Sequence, residues 1–217
     1  VAEDMPKDAR VSAAFEAAKG FMPPGEDAAL YAAARDAARL GLPLLEIGTY
    51  CGKSTLLLAD AARAAGTVVV TVDHHRGSEE QQPGEEYHDE DLLDAADRAR
   101  MDTLPEFRRT IAAAGLEDHV IAVVGRSARA AAALGGRFGL VFVDGGHTDA
   151  AATADYEGWA PKLAVGGLLV IHDVFPDPAD GGRAPYRIWR RAVDSGAFEE
   201  AGGRASLRVL RRTGAGV

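Results

Sequence analysis

The sequence has little cysteine, few aromatics and no long apolar run. One cysteine in 217 residues cannot form an internal disulfide, so nothing points to an oxidising compartment. No run reaches the roughly 18 apolar residues of a membrane span. The opening residues, with Glu3, Asp4 and Asp8 and no apolar stretch, do not resemble a secretory signal. A cytoplasmic location and no membrane partner are therefore expected. Basic residues are outnumbered, 24 against 33 acidic ones, for a net charge of -9. That balance does not suit a protein that coats a nucleic-acid backbone, and no nucleic-acid partner is expected.

What is present is a chain long enough for one α/β domain, 47% hydrophobic, with room for a sizeable core. Short Leu- and Val-rich runs alternate with longer alanine-rich stretches, the rhythm of β-α units around a parallel sheet. Strands are predicted at Leu44–Gly48, Thr67–Asp73, Val120–Gly125, Leu140–Asp144 and Leu168–Asp173, with a closing strand at Ser206–Arg211. Their near-continuous hydrophobicity is that of strands covered on both faces. Helices are predicted at Ala28–Leu40, Ser54–Ala65, Asp91–Ala114, Ala128–Leu134, Ala150–Lys162 and Tyr186–Asp194, several ending at glycine. Residues 1–40 read as an N-terminal helical segment. Residues 74–91, polar and almost free of aliphatics, read as a lid-like loop after the second strand. A second loop, Asp177–Pro185, follows the fifth strand. Both fall at the carboxyl ends of strands, where open α/β sheets bind ligands.

The first strand, Leu44-Leu45-Glu46-Ile47-Gly48, runs into Thr49-Tyr50-Cys51-Gly52-Lys53-Ser54. A phosphate-cradling P-loop needs four residues between its first glycine and Gly-Lys-Ser; three stand here. A dinucleotide fingerprint needs a glycine where Tyr50 stands. An acidic residue closing the strand before a Gly-x-x-x-Gly turn fits a third reading, backbone brought close to an amino-acid-like or sugar-like group. An ordinary strand-to-helix turn has the same spacing. Asp73 ends the second strand, where a carboxylate can accept both ribose hydroxyls or simply serve a turn.

Leu45-Glu46-Ile47-Gly48-Thr49-Tyr50-Cys51-Gly52 with Ser54 resembles motif I of class I S-adenosylmethionine-dependent O-methyltransferases, especially the catechol and caffeoyl-CoA types. The likeness continues at Val123–Ser127, Val141–Asp144 and Gly166–Asp173, and spans about residues 20 to 212 in family order. It implies a Rossmann-like fold with a mostly parallel seven-stranded sheet and helices on both faces, in a single domain over residues 1–217. It further implies that Glu46, Gly48 and Gly52 surround the methionine part of the cofactor, Asp73 its ribose and Ser127 its adenine. Thr49, Tyr50, Ser54, His74 and Asp144 would also stand at the cofactor site, Asp144 sharing in catalysis with His147.

In that family the aspartates matching Asp144 and Asp173 bind Mg²⁺, and two hard oxygen ligands on one rim suit that ion. Strand-end aspartates also cap helices and turns. The family's third ligand, an Asn after the second Asp, is Val174 here. His172 is a substitute only if the backbone has already left the strand, because within a strand it would point away from Asp173. His147 stands where the catechol-type enzymes carry a lysine base. With an ordinary pKa of about 6.5 it suits proton transfer, and it also suits a helix cap.

The family's stacking Trp is absent, and Gly145-Gly146 fill that neighbourhood. The 74–91 loop offers His75, Arg76 and Tyr87 as acceptor-binding residues, or is a solvated acidic loop. A zinc site at His74, His75 and His88 lacks ligand spacing. Many hydroxyl partners favour a saccharide or glycosylated small molecule, and the chain looks similar to actinobacterial sugar O-methyltransferases. An aromatic or polyketide hydroxyl is the main alternative. A P-loop-like nucleotide-binding protein and a non-catalytic cofactor-binding protein are readings of other classes. Alanine-rich helices would allow a homo-oligomer.

Overall fold

Leucine- and valine-rich runs become the strands of one sheet. The structure, a computed structural model, describes residues 5–82, 84, 85, 87–214 and 216; Glu3 and Asp4 lie outside the described residues. Seven strands, β1 (Leu44–Ile47), β2 (Val69–Asp73), β3 (Val120–Val124), β4 (Phe138–Val143), β5 (Leu163–Ile171), β6 (Phe198–Arg204) and β7 (Leu207–Arg212), lie in the order β3-β2-β1-β4-β5-β7-β6. β1 to β5 pair in parallel, β7 runs antiparallel to β5, and β6 closes the edge as a hairpin partner of β7. This is the mostly parallel, Rossmann-like sheet expected.

Side-chain alternation divides each continuous apolar run between two cores. Leu44, Val69, Leu140, Phe142, Leu168 and Val170 face α1 (Ala9–Ala17), α2 (Glu26–Ala38), α3 (Lys53–Ala64) and α4 (Leu104–Ala114). Leu45, Ile47, Val72, Val141, Val143, Leu169 and Ile171 face α5 (Ser127–Ala133), α6 (Asp149–Trp159) and α7 (Ala184–Asp194). Local chemistry sets the helix ends. The Asp8 side chain accepts from the backbone N–H groups of Arg10 and Val11 at the start of α1. Pro105 stands in the first turn of α4, and Gly115 closes that helix at φ +68.

Several expectations need correction. The helix predicted over Asp91–Ala114 forms only from Leu104. Upstream, Asp94, Asp97 and Asp102 accept hydrogen bonds from backbone N–H groups two residues on, and such local turns compete with helix. The segment between β2 and α4 therefore runs from His74 to Thr103. β5 starts at Leu163, five positions before the predicted Leu168, with a register shift against β4 near Gly166. The β6 strand carries Glu199, Glu200, Gly202 and Gly203, a composition that hides it from hydropathy patterning. β3 is an edge strand with Ile121 and Val124 exposed, so its apolar run is not covered on both faces.

Candidate active site

The strand order reverses between β1 and β4, and the crevice beyond their carboxyl ends is where such sheets bind ligands. The turn after β1 is tailored to it. Gly48 has φ +84, and a Cβ there would lie 1.9 Å from the carbonyl oxygen of Asp144, so only glycine lets the two strand ends approach. Tyr50 at φ +49 and Gly52 at φ +90 complete the bend. Asp73 holds it: Oδ2 accepts from the backbone N–H groups of Thr49 and Tyr50, each at 2.9 Å, and Oδ1 from His75 N–H at 2.7 Å. His74 follows, its Nδ1 accepting from Arg76 N–H.

Glu46 lies beneath this turn, fully buried. Ser54 and Thr55 of α3 and Thr71 of β2 donate their hydroxyls to its carboxylate at 2.6, 2.6 and 2.7 Å. Burial pushes its pKa up to about 7 against these three donors. Glu46 and Ser54 thus form a buried knot joining β1, α3 and β2. Lys53, the residue a P-loop aims at phosphate, donates to the carbonyls of Phe15 and Ala18 at the end of α1. Its ammonium is occupied away from any phosphate cradle, which removes the basis of the P-loop-like reading. Ser127 opens α5 and accepts from Trp159 Nε1 at 2.8 Å.

Asp144 and Asp173 meet on the rim as expected, together with His147. Their side-chain ligand atoms lie within 4.8 Å of one another, a spacing that suits a metal ion. His147 Nε2 is 3.1 Å from Asp173 Oδ2, and Nδ1 is 3.1 Å from Glu80 Oε2. The hydrogen bond to Asp173 leads, against burial, in pushing the His147 pKa up to about 9, helped by Glu80 and Asp144.

The backbone does leave the strand in time for His172. β5 ends at Ile171, and Asp173 takes φ +55. His172 Nδ1 consequently lies 3.1 Å from both Asp144 Oδ1 and Asp173 Oδ2, while Nε2 is 2.7 Å from Glu26 Oε2. Burial opposes charge on this imidazole, and the surrounding carboxylates, Asp144 foremost, outweigh it and raise its pKa. Asp173 is pulled below the ordinary carboxylate range by His147 and His172 in spite of its burial. Val174, at the position of the family's third oxygen ligand, is buried in the core.

The acceptor-binding expectations scatter. His75 is buried, its Nδ1 2.7 Å from Thr103 Oγ1 and its ring against Phe107. Arg76 binds Asp94 and the Met101 carbonyl, tying the loop to itself. Tyr87 is exposed and packs edge-on against Phe21, which also lies against Tyr50. With His88, Asp89 and Glu90 these three rings line a hollow of about 300 Å³. Two site residues escaped the sequence reading. Glu80 belongs to a run of polar loop residues that gives it no mark. Glu26 had one usable signal, an acidic residue in the first turn of an otherwise alanine-rich helix.

A seven-stranded Rossmann-like sheet with this glycine turn at its switch point and a carboxylate–histidine rim beside it defines a class I methyltransferase. A profile of the family described as "Methyltransferase domain" matches residues 45–174, and the chain belongs to that family. Solved structures share the fold. The cofactor-bound Rv0187 from MTB is 22% identical, with a TM-score of 0.62 and coverage of 94% of this chain and 88% of that one. The O-methyltransferase TomG from Streptomyces achromogenes, involved in tomaymycin synthesis and solved with S-adenosylmethionine, is 19% identical at a TM-score of 0.62, covering 97% and 92%. The O-methyltransferase NovP is 19% identical at a TM-score of 0.64, covering 85% and 78%.

Proposed function

We propose that the protein transfers the methyl group of S-adenosylmethionine to a hydroxyl of a saccharide or glycosylated small molecule. The observation that carries methyl transfer to a hydroxyl is the convergence of Asp144, Asp173 and His147 beside the Gly48 turn; the saccharide part rests on the sequence likeness to sugar O-methyltransferases alone. That turn and Asp73 would take the methionine and ribose parts, and Ser127 the adenine. The sulfonium methyl is already electrophilic, so the chain must align an acceptor oxygen with it and remove that oxygen's proton. Once it has lost the Nε2 proton that Asp173 holds, His147 accepts the acceptor's proton there while Glu80 holds Nδ1–H, and the methyl passes from sulfur to oxygen, leaving a methyl ether and S-adenosylhomocysteine.

The rim fits a divalent cation, with Asp144, Asp173 and His172 as the residues that would hold it. His172 Nδ1 is buried, faces both carboxylates and has no hydrogen-bond partner among the described residues. On the carboxylates alone the ion would be Mg²⁺. Such an ion would lower the pKa of the acceptor hydroxyl and offset the negative charge that keeps His147 protonated. A second reading, an aromatic or polyketide hydroxyl, is favoured by the Phe21, Tyr50 and Tyr87 hollow.

The test is methyl transfer from labelled S-adenosylmethionine to sugar and phenolic acceptors, with divalent ion supplied or chelated. His147→Ala is expected to lower kcat by about 10²–10⁴-fold, the range of general-base catalysis, with cofactor affinity unchanged. Full transfer by His147→Ala at saturating acceptor removes the base. Binding of ATP in place of S-adenosylmethionine overturns the activity itself.

A further inference from the structure

Two aspartates and Mg²⁺ leave the surroundings of His172 unexplained. The side chain is 4% exposed and Glu26 is 0% exposed, yet the two meet at 2.7 Å through Nε2 and Oε2. The other oxygen of Glu26 accepts from Ser206 N–H at 2.6 Å and Ser206 Oγ at 2.8 Å. Glu26 is therefore a fully engaged carboxylate, and His172 must carry its hydrogen on Nε2 to meet it. Nδ1 is then left to face Asp144 Oδ1 and Asp173 Oδ2 at 3.1 Å each, making a hydrogen bond to neither. In the neutral ring the Nδ1 lone pair would oppose two carboxylate oxygens, a repulsion relieved either by a proton on Nδ1 or by a metal ion among the three.

The spacing is that of neighbouring ligands on one ion. Donor atoms about 2.1 Å from a metal and at right angles to each other sit about 3 Å apart. The residue after Asp173 is the buried Val174, which offers no oxygen, so the third donor from this strand end is a nitrogen. Imidazole suits Co²⁺, Ni²⁺ and Zn²⁺, whereas Mg²⁺ keeps to oxygen. A carboxylate on the far ring nitrogen, the place Glu26 takes, is the usual support of a histidine ligand.

Resting on the cation-assisted reading above, the geometry points to His172 as a nitrogen ligand oriented by Glu26, in a mixed site with Asp144 and Asp173 that takes a first-row transition ion in preference to Mg²⁺. Glu26 acts through His172 and is a positioning residue.

The experiment uses full-length protein stripped with chelator and labelled with ¹⁵N-histidine. Calorimetry with Mg²⁺, Mn²⁺, Co²⁺ and Ni²⁺ gives affinities, and pulsed EPR of the Mn²⁺ form reads nitrogen coupling. Co²⁺ and Ni²⁺ are expected to bind at least tenfold tighter than Mg²⁺, with histidine coupling that persists in His147→Ala and is lost in His172→Asn. Glu26→Gln should weaken Co²⁺ binding by about 10–100-fold, with S-adenosylmethionine affinity unchanged. The coupling in wild-type protein decides nitrogen ligation even if His172→Asn does not fold. Coupling lost in His147→Ala instead overturns the assignment to His172. Ion binding without histidine coupling overturns nitrogen ligation and leaves a two-aspartate site. Absence of ion binding overturns the inference together with the cation reading, and retained S-adenosylmethionine binding would show that the methyltransferase reading survives.

Discussion

Gly48 shows how one residue carries the architecture of the crevice. Its φ of +84 and the 1.9 Å approach of the Asp144 carbonyl to a built Cβ exclude any side chain without a shift of β1 or β4. Gly48→Ala should destabilise the protein by about 2 kcal/mol or more and abolish cofactor binding, read by urea denaturation and calorimetry. A loss under about 0.5 kcal/mol would mean that the strand ends part easily. Asp155, under Gly145, makes a prediction in pH. Burial pushes its pKa from 3.8 to about 6, with the Ser127 hydroxyl acting in the opposite direction. A raised acid holds its proton more tightly in the folded state, so its contribution is full below the ordinary value and is lost as pH rises through about 6. Wild type should lose up to about 3 kcal/mol over that interval relative to Asp155→Asn. Equal slopes in the two proteins would show that burial does not raise this group.

Among the elements, the segment from His74 to Thr103 is unusual, because its polar side chains mostly serve its own backbone. Ser78 N–H donates to the Gln81 side chain, the Gln82 amide donates to the Arg76 and Ser78 carbonyls, and Arg76 joins Asp94 to the Met101 carbonyl. Lys19 reaches Asp89 and Asp91 from beyond α1. These are partly exposed ion pairs, worth little to global stability. Arg76→Ala should cost under about 1 kcal/mol but speed proteolytic cleavage between residues 76 and 102 severalfold. Unchanged cleavage would show that the turns, not Arg76, order the loop. The same self-pairing explains why this loop misled the sequence reading: polar residues that look available for an acceptor are already bonded, and aspartates inside an apparent helix were making turns.

At the scale of the molecule, the sheet separates two cores that share no members, one under α1 to α4 and one under α5 to α7. Leu57→Ala on the first face and Ile188→Ala on the second should each cost about 2–5 kcal/mol. In the double variant the costs should add within about 0.5 kcal/mol. A larger departure, measured by denaturation of the two single variants and the double, would mean that the sheet transmits strain between its faces.

Strands and motif positions were legible because burial imposes a local period: β1 to β5 are apolar runs, and Gly48, Asp73, Asp144 and Asp173 stand where those runs stop. The sequence by itself therefore determined the layered sheet, the crevice and the residues that rim it. Tertiary structure decided the rest. His172 faces Asp144 and Asp173 only because β5 ends one residue before it, and Glu26 grips it from 146 positions away. No local pattern encodes such a contact, since it depends on where α2 comes to rest against the sheet. Hydrophobic periodicity is written residue by residue, whereas the meeting of buried polar groups is set by the packing of whole elements.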